Sequence, residues 1–393
     1  MEKRFVYADN AATTPLSSAA LEAMMPYLTE QYGNPSGIYG VGRKAKQAME
    51  QARADIAQAL GAKAEEVYFT GGGTEADNWA LKSVCEARGR KGKHIVASPL
   101  EHHAITHTLD WLKKQGYEIT YLKCDEFGIV HPETLEEAMR EDTILVTVMA
   151  ANNEIGSVQP IKELAAVAHA HGALFHTDAV QAAGHVPLDF AGMGIDLMSI
   201  AAHKFRGPKG VGALLVRKGV YLPTFVHGGG QEKNRRSGTE NVAGIVGMAT
   251  ALKDAVENME ENTAKLNALR EKLTAGLLNL PYTRLTGHPE KRLPGTASFV
   301  FECIEGESLV LSLDAAGICA SSGSACSSAS LDPSHVLLSI GLPHEVAHGS
   351  LRLSLGEQNT MEDVDYILEK LPAIVERLRS MSPLWEDRLN GKF

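Results

Sequence analysis

Two hydrophobic rhythms alternate along the first 250 residues. Ala45, Ala48, Met49, Ala52, Ile56, Ala59 and Leu60 recur at spacings of three and four, which predicts a helix that Gly61 stops. A short, continuous β-rich run follows at Val67–Thr70, and a glycine-rich turn leads from it into the next helical pattern. Runs of the same kind return at 94–97, 143–149, 173–177, 195–200 and 211–216, with helical stretches such as 161–171 between several of them. Strands that alternate with helices predict an α/β layer fold around a mostly parallel sheet.

Beyond about residue 250 the rhythm changes. Leu252, Val256, Met259, Leu266, Leu269, Leu273, Leu277 and Leu280 form one apolar stripe, which predicts a single long helix ended by Pro281. Fewer elements follow: strands near 297–301 and 350–355, and a helix from Met361. The expected organisation is a large α/β domain over 15–257 and a smaller α+β domain made of 1–14 and 258–393. A chain of 393 residues suits two domains with room for substantial cores.

Composition narrows the function classes. A formal net charge of −10 argues against general nucleic-acid binding, which needs a basic face to displace counterions from phosphate. The densest basic run, 88–93, reads as a solvated loop. No stretch approaches the roughly 18 apolar residues of a membrane span, and the charged N-terminus lacks the apolar core of a signal peptide. Cys85, Cys124, Cys303, Cys319 and Cys326 are scattered without a C-x-x-C pair, so a reducing cytoplasm is expected.

Four places carry candidate chemistry. Thr70-Gly-Gly-Gly-Thr-Glu-Ala-Asp-Asn78 joins a strand to a helix, where free N–H groups and the helix dipole suit an anion; a plain tight turn has the same glycines. Asp178 closes an apolar strand, a position that suits a helix cap or a partner for a cationic ring nitrogen. Lys204 follows another strand, between Ala201-Ala202 and Gly207. It is either a snorkelling surface lysine or a buried amine whose lowered pKa serves Schiff-base chemistry. Last, in Cys319-Ala-Ser-Ser-Gly-Ser-Ala-Cys-Ser-Ser-Ala-Ser330 only the cysteines have bulk. Such a loop, expected over about 319–333, packs little, and Cys326 is a reactive-thiol candidate. The other four cysteines read as structural.

Taken in order, Tyr32-Gly-Asn-Pro-Ser36, Ala151-Asn-Asn-Glu-Ile-Gly156, His176-Thr-Asp-Ala-Val-Gln181, His203-Lys204, Arg235-Arg-Ser-Gly-Thr-Glu-Asn241 and Ser321-Ser-Gly-Ser-Ala-Cys326 span most of the chain. This series resembles the NifS/IscS-type cysteine desulfurases, class-V enzymes of the fold-type-I pyridoxal phosphate group. The resemblance implies Lys204 as the lysine that carries the cofactor and Asp178 as the partner of its ring nitrogen. It also implies Gln181 on the phenolic oxygen, His102 stacked on the ring and acting as proton acceptor, and Gly73, Thr74 and His203 on the phosphate. Thr239 would reach the phosphate in the partner subunit of a homodimer. Arg352 with Asn153 would clamp the carboxylate of L-cysteine, and Cys326 would take the sulfur as a persulfide. A U-type iron–sulfur scaffold protein is the implied sulfur acceptor. Many relatives have serine three residues before the lysine; here it is Ala201, and one phosphate contact is expected to be absent. The sequence ends soon after Ser382-Pro-Leu-Trp385, without the tail expected of IscS proteins, and on that point it looks more like NifS.

Other enzymes fit part of the pattern. A class-V aminotransferase would share Lys204 and Asp178 but needs no mobile thiol, and selenocysteine lyases resemble the other family branch, with a short Arg-x-Gly-x-x-Cys loop in place of the longer Ser321-Ser-Gly-Ser-Ala-Cys326 type. A metal or sulfur carrier would use the i,i+4 pairs His103/His107 and His344/His348. Neither pair has a third ligand nearby in sequence, so no metal site is expected.

Overall fold

The computed structural model describes residues 4–323 and 333–391. Twelve short strands are present among them: β1 Val6–Tyr7, β2 Val67–Thr70, β3 His94–Ala97, β4 Glu118–Tyr121, β5 Thr143–Thr147, β6 Leu174–Asp178, β7 Leu197–Ala201, β8 Gly212–Val216, β9 Thr283–Thr286, β10 Thr296–Phe301, β11 Ile318–Cys319 and β12 Ser350–Ser354. Seven form one sheet in the order β2-β8-β7-β6-β5-β3-β4. β8 runs antiparallel to both its neighbours, and the other strands are mutually parallel. The expected α/β architecture with a mostly parallel sheet is therefore present. β3, β5, β6, β7 and β8 are buried along their whole length, as continuous apolar runs covered by helices on both faces require.

Strand β4 has no strong apolar run and was not expected from the pattern. It lies at the sheet edge with both ends exposed, so its residues need not be hydrophobic. The single long helix expected over 252–280 is two helices, Val242–Glu257 and Met259–Leu277. Asn258 breaks them: its backbone leaves the helical region and its side-chain amide turns back onto the Asp254 carbonyl at 3.0 Å. Asparagine competes in this way with the helical ladder, and the apolar stripe carries no trace of it.

A second hydrophobic cluster lies around the antiparallel sheet β12-β10-β9 and the helices Met259–Leu277 and Met361–Ser380, with Phe299, Phe301, Leu351 and Leu353 inside it. The parallel pair β1 and β11 joins the start of the chain to this region. Ser354 ties it onward, accepting the Ala11 N–H at 2.9 Å. Residues 9–14 thereby run from the smaller sheet toward His203, whose carbonyl accepts the Thr14 N–H at 3.0 Å. This strip closes one side of a cavity between the two sheets.

Candidate active site

The cavity, of about 510 Å³, lies beyond the C-terminal ends of β6 and β7. Ligands of open α/β sheets bind beyond such strand ends. Gly73, Thr74, His102, Asn153, Asp178, Gln181, His203, Lys204 and Arg352 all line it, although 279 residues separate the first from the last. Of the remaining candidates, Thr239 is exposed and lies outside the lining, and Cys326 lies outside the described residues.

Each lining residue is placed by a local cause. Asp178 is the last residue of β6, and its Oδ1 accepts the Val180 N–H at 2.9 Å. This turns the carboxylate back toward the cavity. Burial raises its pKa to about 6, against the lowering effects of that N–H and of Lys204. Lys204 ends a turn of 3-10 helix just after β7, and its ammonium donates to the carbonyls of Ala11 and Ala12 at 2.7 and 2.9 Å. Ala11 O also accepts from the Gln181 amide at 2.7 Å, so the 9–14 strip gathers two candidate side chains.

His102 caps the helix His103–Lys114, its Nδ1 accepting the Ala104 N–H at 3.1 Å. Burial, then Lys204 and the neighbouring histidines, lower its pKa to about 4, so the ring is neutral at physiological pH. His203 is likewise held near 4 by burial and by Lys204. The helix Gly73–Arg88 begins without a side-chain cap, which leaves its first N–H groups to an incoming anion. Gly72 takes φ +152°, and a Cβ on Gly73 would sit 2.6 Å from Val180 Cγ2. Only glycine keeps that floor open.

Arg352, on β12, is buried. One Nη donates to Asn153 O at 2.9 Å, the other to Asp9 Oδ1 at 2.8 Å, and Nε has no partner. Backbone bonds between Arg352 and Ser321 tie the start of the cysteine segment to this strand. On the far side of that segment Ser334 bonds the Glu154 carboxylate, and His335 bonds the Glu101 carbonyl at 3.0 Å, next to His102. Both described flanks of 324–332 are thus anchored at the cavity.

Two lining carboxylates escaped the sequence reading, Asp9 and Asp77. Asp77 is fully buried, its Oδ1 lacks a hydrogen bond and lies 3.7 Å from His176 Nε2, and burial followed by Asp178 drives its pKa well above the usual range. A signal existed: Asp77 lies four residues after Gly73, on the same helical face. His103 and His107 stack at 4.9 Å and His344 meets His348 at 4.7 Å. Among the described residues no three His, Cys, Asp or Glu side chains are grouped to hold a metal ion.

The donor set suits an anionic, aromatic, aldehyde-bearing cofactor. It offers an uncapped helix start for a phosphate, an amine at Lys204, a carboxylate at Asp178 for a cationic nitrogen, and unpaired polar atoms on Asp77 and Thr177 in or behind the wall. Comparison with known proteins agrees with this chemistry. The model of the aminotransferase class-V family matches residues 6–367. The chain is 55% identical over 383 residues to "Cysteine desulfurase IscS" of Methanosarcina thermophila, covering 98% of this chain and 95% of the relative. Among solved structures it resembles a "NIFS-LIKE PROTEIN" with TM-score 0.90 and 40% identity, over 95% of this chain and 100% of that one. It also resembles "SspA in complex with cysteine", with TM-score 0.79 and 35% identity, over 90% and 100%.

Proposed function

The chain belongs to the aminotransferase class-V family, on its cysteine desulfurase branch, and from this premise we propose how its residues carry out the reaction. It takes L-cysteine to L-alanine and holds the sulfur as a persulfide on Cys326. The observation that carries the reading is the convergence of Lys204, Asp178, His102 and Arg352 on one cavity whose cysteine-bearing neighbour is anchored on both sides.

The family is pyridoxal phosphate-dependent, and this cofactor, when bound, supplies the electron sink for the substrate Cα carbanion. Gly73, Thr74 and His203 would hold its phosphate, and Thr239 would reach across a homodimer to the partner's phosphate. Asp178 would hold a proton on the ring nitrogen, Gln181 would bond the phenolic oxygen, and His102 would cover the ring face. Arg352 takes the substrate carboxylate with help from Asn153; its unpaired Nε is a donor without an internal use. Lys204 removes the Cα proton. His102, neutral at pH 7, accepts the thiol proton. The Cys326 thiolate then attacks the substrate sulfur, the S–S bond forming as the Cβ–S bond breaks, and the protonated carbon fragment leaves as L-alanine.

The persulfide passes to a sulfur acceptor, for which a U-type iron–sulfur scaffold is the leading candidate. Residues 15–257 act as the cofactor domain, and 1–14 with 258–393 as the domain that carries Arg352 and Cys326; the separate hydrophobic clusters at the seven-stranded and three-stranded sheets support this division, and a further cluster joins Leu100, Met149 and Ile155 to Val300 and Val336 across it. Exposed apolar side chains over 16–41, Tyr32 and Ile38 among them, support a subunit interface there. No described helix is long and apolar enough to cross a membrane, and we place the protein in the cytoplasm.

The test is release of alanine and sulfide from L-cysteine with a thiol reductant, in wild type, Lys204→Ala and Cys326→Ala. Activity lost in both variants is the expected result. Activity kept by Cys326→Ala overturns the persulfide role, and an inactive wild type that binds pyridoxal phosphate favours an aminotransferase.

A further inference from the structure

Residues 230–239 form a loop outside the cavity wall, yet two carboxylate–guanidinium forks fasten it to the strand and turn that precede Gly73. In the lower fork Arg53 donates to both oxygens of Glu232, at 2.8 and 2.9 Å, and both residues are buried. Glu232 Oε2 also accepts the Phe69 N–H of β2 at 2.9 Å. In the upper fork Arg236 donates through Nε and Nη2 to the two oxygens of Glu75, at 2.7 and 3.0 Å. Glu75 Oε2 accepts the Gly71 N–H as well, at 2.8 Å.

Each carboxylate therefore does two things at once: it holds a backbone N–H of the β2 end and a guanidinium. The N–H groups belong to Phe69 and Gly71, two residues apart, and the second lies in the turn before Gly73 and Thr74. Between the forks Glu232, Lys233 and Asn234 take φ of 44°, 59° and 64°, three successive non-glycine residues in the left-handed region. Such a run persists only where the surroundings over-determine it. Arg236 is further fixed by its bridge to Val226, and Ser237 N–H bonds Val226 O at 3.0 Å.

We propose that Glu75 and Arg236 are a positioning pair for the cofactor phosphate. Neither touches the phosphate; Glu75 sets the Gly71–Thr74 turn in its binding shape, and Arg236 locks that turn to the loop that carries Thr239. The inference rests on the cofactor reading above, and it adds two residues that act through others. A bidentate fork suits the task because it fixes orientation as well as distance.

The experiment titrates the apoproteins of wild type, Glu75→Gln, Arg236→Gln, Arg236→Lys and Glu75→Gln/Arg236→Gln with pyridoxal phosphate. It follows the Schiff-base absorbance and, in parallel, the melting temperature of each apoprotein. Glu75→Gln and Arg236→Gln should each weaken the apparent Kd by at least about tenfold, with Arg236→Lys between them and wild type. The double variant should bind no worse than the weaker single one, since either change already breaks the fork. Apoprotein melting temperatures should stay within about 2 °C of wild type, consistent with a pair one quarter exposed. Binding unchanged or tighter in Glu75→Gln overturns the proposal, because a freed Arg236 would then be a phosphate ligand or a bystander. Multiplicative losses in the double variant, or a large fall in apoprotein melting temperature, also overturn it by showing independent or merely structural roles. A wild-type apoprotein that binds no pyridoxal phosphate sinks the cofactor reading itself.

Discussion

The large and small sheets meet the same cavity with opposite habits. From the seven-stranded sheet and its helices come Asp77, His102, Asp178, His203 and Lys204, a dense set of titratable groups. Asp77, His102, Asp178 and His203 are displaced from their usual pKa, and burial is the largest cause each time. From the three-stranded sheet comes one guanidinium, Arg352, gripped by Asn153 and Asp9 before any substrate arrives. The first region is a set of strained electrostatic demands that a bound group would answer. The second is a charge already oriented, waiting for a carboxylate. The difference teaches that cofactor and substrate need opposite preparation: one site stores unmet polarity, and the other stores orientation.

The comparison is broken most severely by removing the amine. Lys204→Ala should lower desulfurase turnover by at least about 10²–10⁴-fold, the range for loss of a general acid–base group. Cofactor absorbance must be recorded beside turnover, because on the proposed reading the same change also removes the covalent anchor. Turnover within tenfold of wild type would mean that the large-sheet region does not carry the chemistry.

The substrate side should fail differently. Arg352→Gln removes charge-assisted hydrogen bonds, each contributing about 1.5–3 kcal/mol, so kcat/KM for L-cysteine should fall by roughly 10–150-fold. The loss should appear chiefly in KM, with the cofactor spectrum unchanged. A shifted cofactor spectrum in this variant would erase the distinction between the two regions.

Asp178 sharpens the comparison through pH. Its folded value of about 6 exceeds the ordinary 3.8, so between these values the folded apoprotein binds more protons than the unfolded chain. Its contribution is complete below the lower value and is lost as pH rises through the upper one. Asp178→Asn should therefore stabilise the apoprotein at pH 7.5, by up to about 3 kcal/mol at 1.36 kcal/mol per unit, and have little effect below about pH 4. Saturating pyridoxal phosphate should reverse the order, since a cationic ring nitrogen answers the wild-type carboxylate and not the amide. Melting curves of both proteins at several pH values, with and without cofactor, decide it. An apoprotein no more stable in the variant would show that the buried carboxylate is not under strain.

Legibility in the sequence followed the same divide. Buried parallel strands announce themselves because continuous apolar runs are what a doubly covered sheet needs, and β3, at 94–97, was found to the residue. Edge strand β4 was invisible because an edge imposes no such demand. Asp178 was legible as the polar residue that ends an apolar strand, and Lys204 as one that follows such a strand closely. Asp9 was not, since nothing local says that its carboxylate folds inward; that depends on the 9–14 strip that crosses from one sheet to the other, whereas Asp77 was marked only by its spacing of four from Gly73 on one helix. The break at Asn258 was hidden for a related reason: a side chain that bonds its own backbone leaves the apolar spacing intact.

The smallest predicted effect concerns a residue with nothing unusual about it. Ala201 lies at the end of β7 and lines the cavity, with its Cβ 3.5 Å from where a Cβ on Gly73 would stand. A serine here would place a hydroxyl on the same floor as the Gly73 N–H. Ala201→Ser adds one oxygen atom to a cavity of about 510 Å³, so overpacking should be slight. One added hydrogen bond contributes about 0.5–1.5 kcal/mol, so the apparent Kd for pyridoxal phosphate should tighten by roughly 2–10-fold. Turnover at saturating cofactor should not change, because the phosphate takes no part in proton or sulfur movement. If the affinity stays level, the Gly73–Thr74 helix start and His203 already satisfy the phosphate, and the large-sheet region holds less unmet polarity at this end than at Asp178. If turnover rises as well, phosphate grip and ring placement are coupled, and the division between holding a group and orienting it must be redrawn inside the cofactor site.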